Sequence, residues 1–243
     1  MSEALADVQI FALGDAAATF VFEAGEKHEL ALGFCARLAL KKPQGVVEWA
    51  PAFASVTVWY DPDRITFDAL QAALAPLASA GAREKTAGGS FVIPFCPDAD
   101  LAPDLAEIAA LKNLSPDAYV SNFAAQVFEV AMLGFQPGFA YLSGLPESLD
   151  APRLATPRKK VPARSLAVAD GMCAAYPFDS PGGWRLIGRT PAPLFDPQNP
   201  ERPAVLTPGD KVRWRPVARE EFDRLERGWA EGGFSADLLR EPA

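Results

Sequence analysis

Gly134-Phe135-Gln136-Pro137-Gly138-Phe139-Ala140-Tyr141-Leu142 alternates glycine and proline with three aromatic rings, and Ser180-Pro181-Gly182-Gly183-Trp184-Arg185-Leu186-Ile187-Gly188-Arg189-Thr190-Pro191 returns to the same theme. Proline presets the φ of the first central residue of a type II turn and glycine accepts the positive φ of the second, so each Pro-Gly pair predicts a tight turn. Around these loops, short β-like runs at 165–169, 174–176, 185–188 and 211–217 are separated by prolines that recur every few residues after Asp150. Many short strands punctuated by Pro and Gly turns predict a β-barrel. Backbone bare of side chains and flanked by rings also lets a small ligand approach main-chain N–H groups. Tight turns collect the same residues for steric reasons alone, so the rings can equally be core.

Upstream the periodicity changes. Runs at 8–13 and 19–22 flank Gly14-Asp15 as a hairpin, Leu30, Phe34 and Leu38 recur every four positions, and strands at 46–49 and 55–60 precede a second helical stripe of Phe67, Leu70, Leu74 and Leu77. The order strand, helix, strand, strand, helix predicts most of a ferredoxin-like unit. The polar, glycine-rich stretch 81–90 lacks periodicity and marks a boundary. The expected organisation is therefore an α/β domain at 1–82, a linker at 83–90, a barrel domain at 91–218 and a helical tail at 219–243. Within the barrel domain a strand is expected at 91–96, a helix at 101–111, a second helix capped by Ser115 with Pro116 at its first position, and a strand at 126–133 leading into the first loop.

Composition narrows the chemistry. The chain has 243 residues, 49% hydrophobic and 22% charged, with a net charge of −8, which is ordinary for a globular protein. Three dispersed cysteines, Cys35, Cys96 and Cys173, form no CxxC pair, so neither a disulfide framework nor a zinc site is expected and a reducing cytoplasm is the predicted compartment. No signal peptide or membrane-length apolar run is read. The sole histidine, His28, falls among the charged residues of a predicted surface helix, which argues against a histidine triad or metal cluster. Between Arg153 and Arg189 seven basic residues face only Asp170 and Asp179. Such a patch suits an anionic small molecule, whereas the overall negative charge and the lack of a recognition motif argue against nucleic acid.

The runs GFQPGFAYLSGLP, PRLATPRKKVPARS and AAYPFDSPGGWRLIGRTPAPLFDP resemble the allophanate hydrolase subunit 1 family, also called KipI-like, along nearly the whole chain. That family includes the B subunit of a bacterial ATP-dependent 5-oxoprolinase, a sporulation-kinase inhibitor and part of the carboxyltransferase region of urea carboxylase. The resemblance implies an α+β protein: a ferredoxin-like small α/β domain followed by a cyclophilin-like β-barrel. It implies lactam cleavage of 5-oxoproline to glutamate, with ATP used at the level of the complex and no metal on this chain. The implied partners are a second cyclophilin-like barrel protein, of the allophanate hydrolase subunit 2 or 5-oxoprolinase C-subunit type, and a LamB/YcsF-like A subunit. Inhibition of a sensor histidine kinase and a carboxyltransferase role in urea metabolism are the alternatives within the family.

Mapped onto this sequence, the resemblance implies anion contacts from Arg153, Arg158 and Arg189, main-chain donors near Gly138, Gly182 and Gly183, and walls from Phe139, Tyr141 and Trp184. Phe135, Pro137, Ser165, Ser180 and Pro181 complete the candidate substrate-binding set. No catalytic residue is assigned. Arg185 is expected to point outward from its strand, and Asp196, before a proline, to be a turn acceptor. The chain departs from the family pattern at Phe123, where a histidine is common, at Cys96-Pro97-Asp98, at Arg164-Ser165 in place of Gly-Ser, and at Met172-Cys173 in place of a Gln-Thr pair. These departures remove donors and acceptors that amide cleavage would use.

Overall fold

A computed structural model of the protein describes residues 7–23, 27–41, 43–81, 88–199 and 202–241, and the chain divides into two compact units, Met1–Gly88 and Gly89–Ala243. Most of the expected linker, residues 83–87, lies outside the described residues.

In the first unit β1 (Val8–Ala12) and β2 (Ala17–Phe22) form an antiparallel hairpin. Helix α1 (Lys27–Lys41), β3 (Val46–Ala52), β4 (Ser55–Tyr60) and α2 (Phe67–Ala78) follow, and the sheet order is β1-β2-β4-β3. Alternation in β2 and β4 buries Phe20, Phe22, Val56 and Val58, which meet Phe34 and Leu38 of α1 and Leu70 and Leu74 of α2. Arg37 ties the helices together by donating from Nε to the Leu77 carbonyl at 2.7 Å and from Nη1 to the Gly81 carbonyl at 2.7 Å. A ferredoxin-like unit takes the edge strand beside its first strand from after its second helix. Here the Gly14 turn, with φ of 63°, folds β1 back onto that edge instead, so the hairpin determines the connection.

The second unit comprises β5 (Ser90–Phe95), α3 (Leu105–Leu111), α4 (Pro116–Ala124), β6 (Phe128–Leu133), β7 (Ala140–Ser143), β8 (Arg158–Val161), β9 (Ser165–Ala169), β10 (Met172–Ala175), β11 (Ser180–Gly182), β12 (Arg185–Arg189), β13 (Lys211–Pro216) and α5 (Arg219–Gly228). Seven strands join in the order β12-β9-β10-β7-β6-β13-β5, while β8 and β11 pair separately. Among the described strands of this sheet, β5 and β13 are the pair that runs parallel. The ends of the seven-stranded sheet meet where Cys96 and Arg189 exchange backbone hydrogen bonds of 2.8 and 3.0 Å. A Cβ on Gly188 would lie 2.9 Å from the Cys96 carbonyl oxygen, so this approach requires glycine. The result is a nearly closed, barrel-like sheet, consistent with a cyclophilin-like barrel.

Asp104 completes the seam. Its backbone N–H donates to the Leu186 carbonyl at 3.1 Å, and its carboxylate accepts from the Leu186 N–H at 2.6 Å. One residue thus reproduces both hydrogen bonds of a strand neighbour on an edge with no further strand. This also explains why α3 begins at Leu105 and not near Leu101: Asp104 makes no side-chain helix cap because its carboxylate is committed to β12. The tail also differs from expectation. Helix α5 ends at Gly228, and a π turn and a short 3-10 turn follow, with Gly232 at φ of 95°.

The core between the sheet and α3–α4 contains Phe95, Tyr119, Phe123, Phe128 and Trp214, all at or below 1% exposure. Phe123 packs 6.0 Å from Phe95 and 5.0 Å from Phe128 between ring centroids. Truncating Asp104 to alanine strands the half-buried Arg158 guanidinium and opens the seam. The expected cost is about 3 kcal/mol, measurable as a lower urea midpoint with an unchanged m-value.

Candidate functional site

The two loops named at the outset meet. In the first, Phe139 N–H donates to the Gln136 carbonyl at 3.0 Å and Gly138 sits at φ of 78°, which is the type II turn expected of Pro137-Gly138. A side chain at Gly138 would strike the Leu194 carbonyl. The second Pro-Gly pair behaves differently. Pro181 and Gly182 belong to β11, opposite β8, and Gly182 lies against the Tyr176 ring. Its φ is not positive, so glycine there provides close approach to a ring and no turn.

Between the loops the rings form one cluster. Phe139 lies 6.1 Å from Trp184, 4.8 Å from Tyr141 and 5.2 Å from Tyr176, all near edge-to-face, and Phe135 stands 5.3 Å from Phe139. Phe139 and Trp184 are 2% and 5% exposed, so they act chiefly as core, whereas Phe135 is 60% exposed at a positive φ of 67°. Pro137 and Pro181 are exposed and Tyr141 is half-buried. Burial raises the Tyr176 hydroxyl above its ordinary pKa, opposed by a hydrogen bond with the Trp184 backbone. Burial also raises Tyr141, with Arg153 pulling it down. Both therefore remain neutral hydroxyls near pH 7. Inside the barrel a residual cavity of about 10 Å³ is lined by Gly138, Ala140, Trp214 and neighbours, enough for at most one water.

The arginines do not converge. Arg153 lies over Trp184, 5.8 Å from ring centroid to Cζ, and pairs with Asp170 at 2.6 Å. Arg158 pairs with the buried Asp104 at 2.6 Å and donates weakly to the Trp184 carbonyl at 3.5 Å. Arg189 stands at the other end of β12, about 13 Å from Arg185 at ~3.3 Å per residue, and donates to the Ala163 carbonyl. Arg185, expected to point outward, has a side chain only 12% exposed and pairs with Glu107 of α3. The basic run is largely neutralised by acids distant in sequence (Asp104, Glu107, Glu226), which a local charge count misses.

Ser165 is buried and donates to the Pro162 carbonyl at 2.8 Å. The buried Ser180 Oγ has no hydrogen-bond partner among the described residues. Gly183 accepts from Leu154 N–H at 2.7 Å and thereby anchors the second loop. Asp196 accepts from Gln198 N–H at 2.9 Å, the turn role expected of it. Sequence reasoning missed Tyr176, which joins both loops, and Asp104, which holds Arg158. The aromatic run Tyr176-Pro177-Phe178 was a signal for the first, but a lone aspartate before a helix gave none for the second. No cluster of His, Cys, Asp and Glu suited to a metal occurs among the described residues, and none of their helices is long and apolar enough to cross a membrane.

With this geometry in place, the chain can be set beside known proteins. Residues 8–206 match the model of the carboxyltransferase domain, subdomain C and D. The chain belongs to that family. Within it, the chain is 35% identical over 190 residues to the 5-oxoprolinase B subunit of Bacillus subtilis, covering 73% of this chain and 78% of the relative. It is 40% identical over 173 residues to the 5-oxoprolinase B subunit of Escherichia coli O157:H7, covering 70% and 78%. The assignment to the allophanate hydrolase subunit 1 group made from the loop sequences therefore stands. Among solved structures, TTHA0988 superposes with a TM-score of 0.72 at 32% identity over 87% of this chain, which spans 40% of that longer chain.

None of the cysteines of this family member is poised as a nucleophile. Burial pushes the Cys35 thiol up to about 12, and it raises Cys96 and Cys173 as well. A thiol reagent at pH 8 is expected to modify fewer than one of the three thiols in the native protein and all three in guanidinium, as read by absorbance.

Proposed function

We propose that this chain is the B subunit of a 5-oxoprolinase-type complex, which opens 5-oxo-L-proline to L-glutamate with hydrolysis of ATP in the cytoplasm. Its barrel, read as cyclophilin-like, would work with a second cyclophilin-like barrel protein and a LamB/YcsF-like A subunit. The observation that carries this reading is the likeness, at 35% and 40% identity over most of both chains, to two proteins named as the B subunit of 5-oxoprolinase. The incompleteness of the site supports a role within an assembly. Rings and turns are assembled, yet among the described residues no set of acid, base and nucleophile converges on them.

The residues of this chain have two tasks in that reading. Phe139, Tyr141, Tyr176 and Trp184 form an apolar wall that excludes water from a reacting amide, and the half-exposed Phe135 extends it outward. Arg153, held over Trp184 by a solvent-exposed ion pair with Asp170, is the guanidinium that can exchange its partner for the carboxylate of the substrate. A triphosphate needs several cations directed at one place. Beside the aromatic wall Arg153 is the guanidinium left for the substrate and Arg158 is held by the buried Asp104, so among the described residues the wall itself offers no cluster of cations for ATP, and the nucleotide contacts are assigned to the partners.

Reconstitution tests the reading. The chain purified with the second barrel protein and the LamB/YcsF-like protein is expected to release ADP only when both ATP and 5-oxoproline are present. A stable complex without substrate-dependent ADP release overturns it. Within an active complex, Phe135→Ala is expected to leave the melting temperature within about 2 °C, as for an exposed side chain, and to lower substrate-dependent ADP release by about tenfold, in keeping with loss of a ring at the mouth of the site.

A further inference from the structure

Arg164 occupies the turn between β8 and β9 at φ of 67°, a backbone region that favours glycine. The turn is firmly held. Arg164 N–H donates to the Tyr176 carbonyl, and its own carbonyl accepts from Thr190 N–H at 2.9 Å. A glycine would make both of these bonds without strain, so what the arginine adds is its side chain. That side chain reaches α5, where Nη2 donates to Glu226 Oε1 at 2.6 Å and Nη1 donates to the Pro191 carbonyl at 3.1 Å.

Arg189 lies alongside. It is paired across the ladder with Ser165, the residue after Arg164, and its Nε donates to the Ala163 carbonyl at 2.9 Å. Its remaining guanidinium N–H groups have no hydrogen-bond or ion-pair partner among the described residues. Burial works against ionisation of Arg164, Glu226 opposes that, and the charge on the neighbouring Arg189 adds to it. Nearby Asp179 is already taken by Lys160 Nζ at 2.7 Å and Ala163 N–H at 2.7 Å. Among the described residues Glu226 is the carboxylate that hydrogen-bonds Arg164, and Asp179 acts on Arg189 through space without a hydrogen bond to it. Glu226 also sits in the last turn of α5, where the helix dipole disfavours a negative charge.

We propose that Arg164 and Arg189 form a binding site for a small phosphate- or carboxylate-class oxyanion, which the Glu226 carboxylate occupies as an internal stand-in. Two guanidinium groups present more N–H donors than one carboxylate can accept, and a tetrahedral dianion can bridge both. A free oxyanion competes with Glu226 and gains because it is not tied to the unfavourable end of a helix. The site stands on these contacts alone and does not require the lactam chemistry proposed above.

Isothermal titration of the full chain with inorganic phosphate, and separately with acetate, tests this. Removing the internal competitor by Glu226→Gln is expected to tighten phosphate binding by about tenfold. Arg164→Gly, which suits the backbone, and Arg189→Gln are each expected to weaken it by about tenfold while far-UV circular dichroism stays native. Tighter binding of phosphate than acetate assigns the site to phosphate groups, and the reverse order assigns it to carboxylates. Affinity that is unchanged in Arg164→Gly and Arg189→Gln, no gain in Glu226→Gln, or no measurable binding in any of the four proteins overturns the proposal.

Discussion

A sheet that curls towards closure must satisfy the polar backbone of its last two edges, and in this protein that constraint falls on β12. Two short contacts meet it. Cys96 and Arg189 exchange a pair of backbone bonds, and Asp104 supplies a donor and an acceptor to Leu186. Gly188 allows the first contact by leaving no Cβ against Phe95 and the Cys96 carbonyl. An edge left open there would expose unpaired N–H and C=O groups beside a core of large rings, an arrangement that invites pairing with another chain. The second oxygen use of Asp104, its bond to Arg158, links this seam to the loop that carries Trp184. One buried carboxylate thus contributes both to closure of the barrel and to placement of the aromatic wall.

The same economy sets the character of the candidate site. Phe139 and Trp184 support the barrel end and also form the floor beneath Phe135 and Arg153, so the surface available to a ligand is small and built on rigid supports. Among the described residues no acid and base converge on this wall, and the relatives at 35% and 40% identity are named as lettered subunits. The far end of β12 carries the different arrangement of Arg164, Arg189 and Glu226. One strand therefore starts beside a cluster of rings and ends beside two guanidinium groups.

Much of the fold was legible because periodicity reports burial on a single face. The β2 and β4 runs and the stripes on α1 and α2 matched observed elements, as did the cap at Ser115, whose side chain accepts from Ala118 N–H. The strands that were not anticipated, β7, β8 and β11, span only three or four residues each. That is too short for alternation to register, and β11 contains the Pro-Gly pair that reads locally as a turn. The charge of the 153–189 segment was legible only as a sum. Its neutralisation by Asp104, Glu107 and Glu226 depends on contacts across 54, 78 and 62 residues of chain.

By itself the sequence determined the α+β character, the type II turn at Pro137-Gly138 and membership of the family, because each is encoded in residues that are neighbours or recur with a fixed period. Only the tertiary structure decided that the two aromatic loops meet, that Phe139 and Trp184 are core, that Arg189 stands apart from Arg153 and Arg158, and that Asp104 acts as a substitute strand. The physical reason is common to all four. Burial, ion pairing and edge satisfaction depend on which distant groups are brought within about 3 Å for a hydrogen bond or about 4 Å for an ion pair, and local pattern carries no record of those distances.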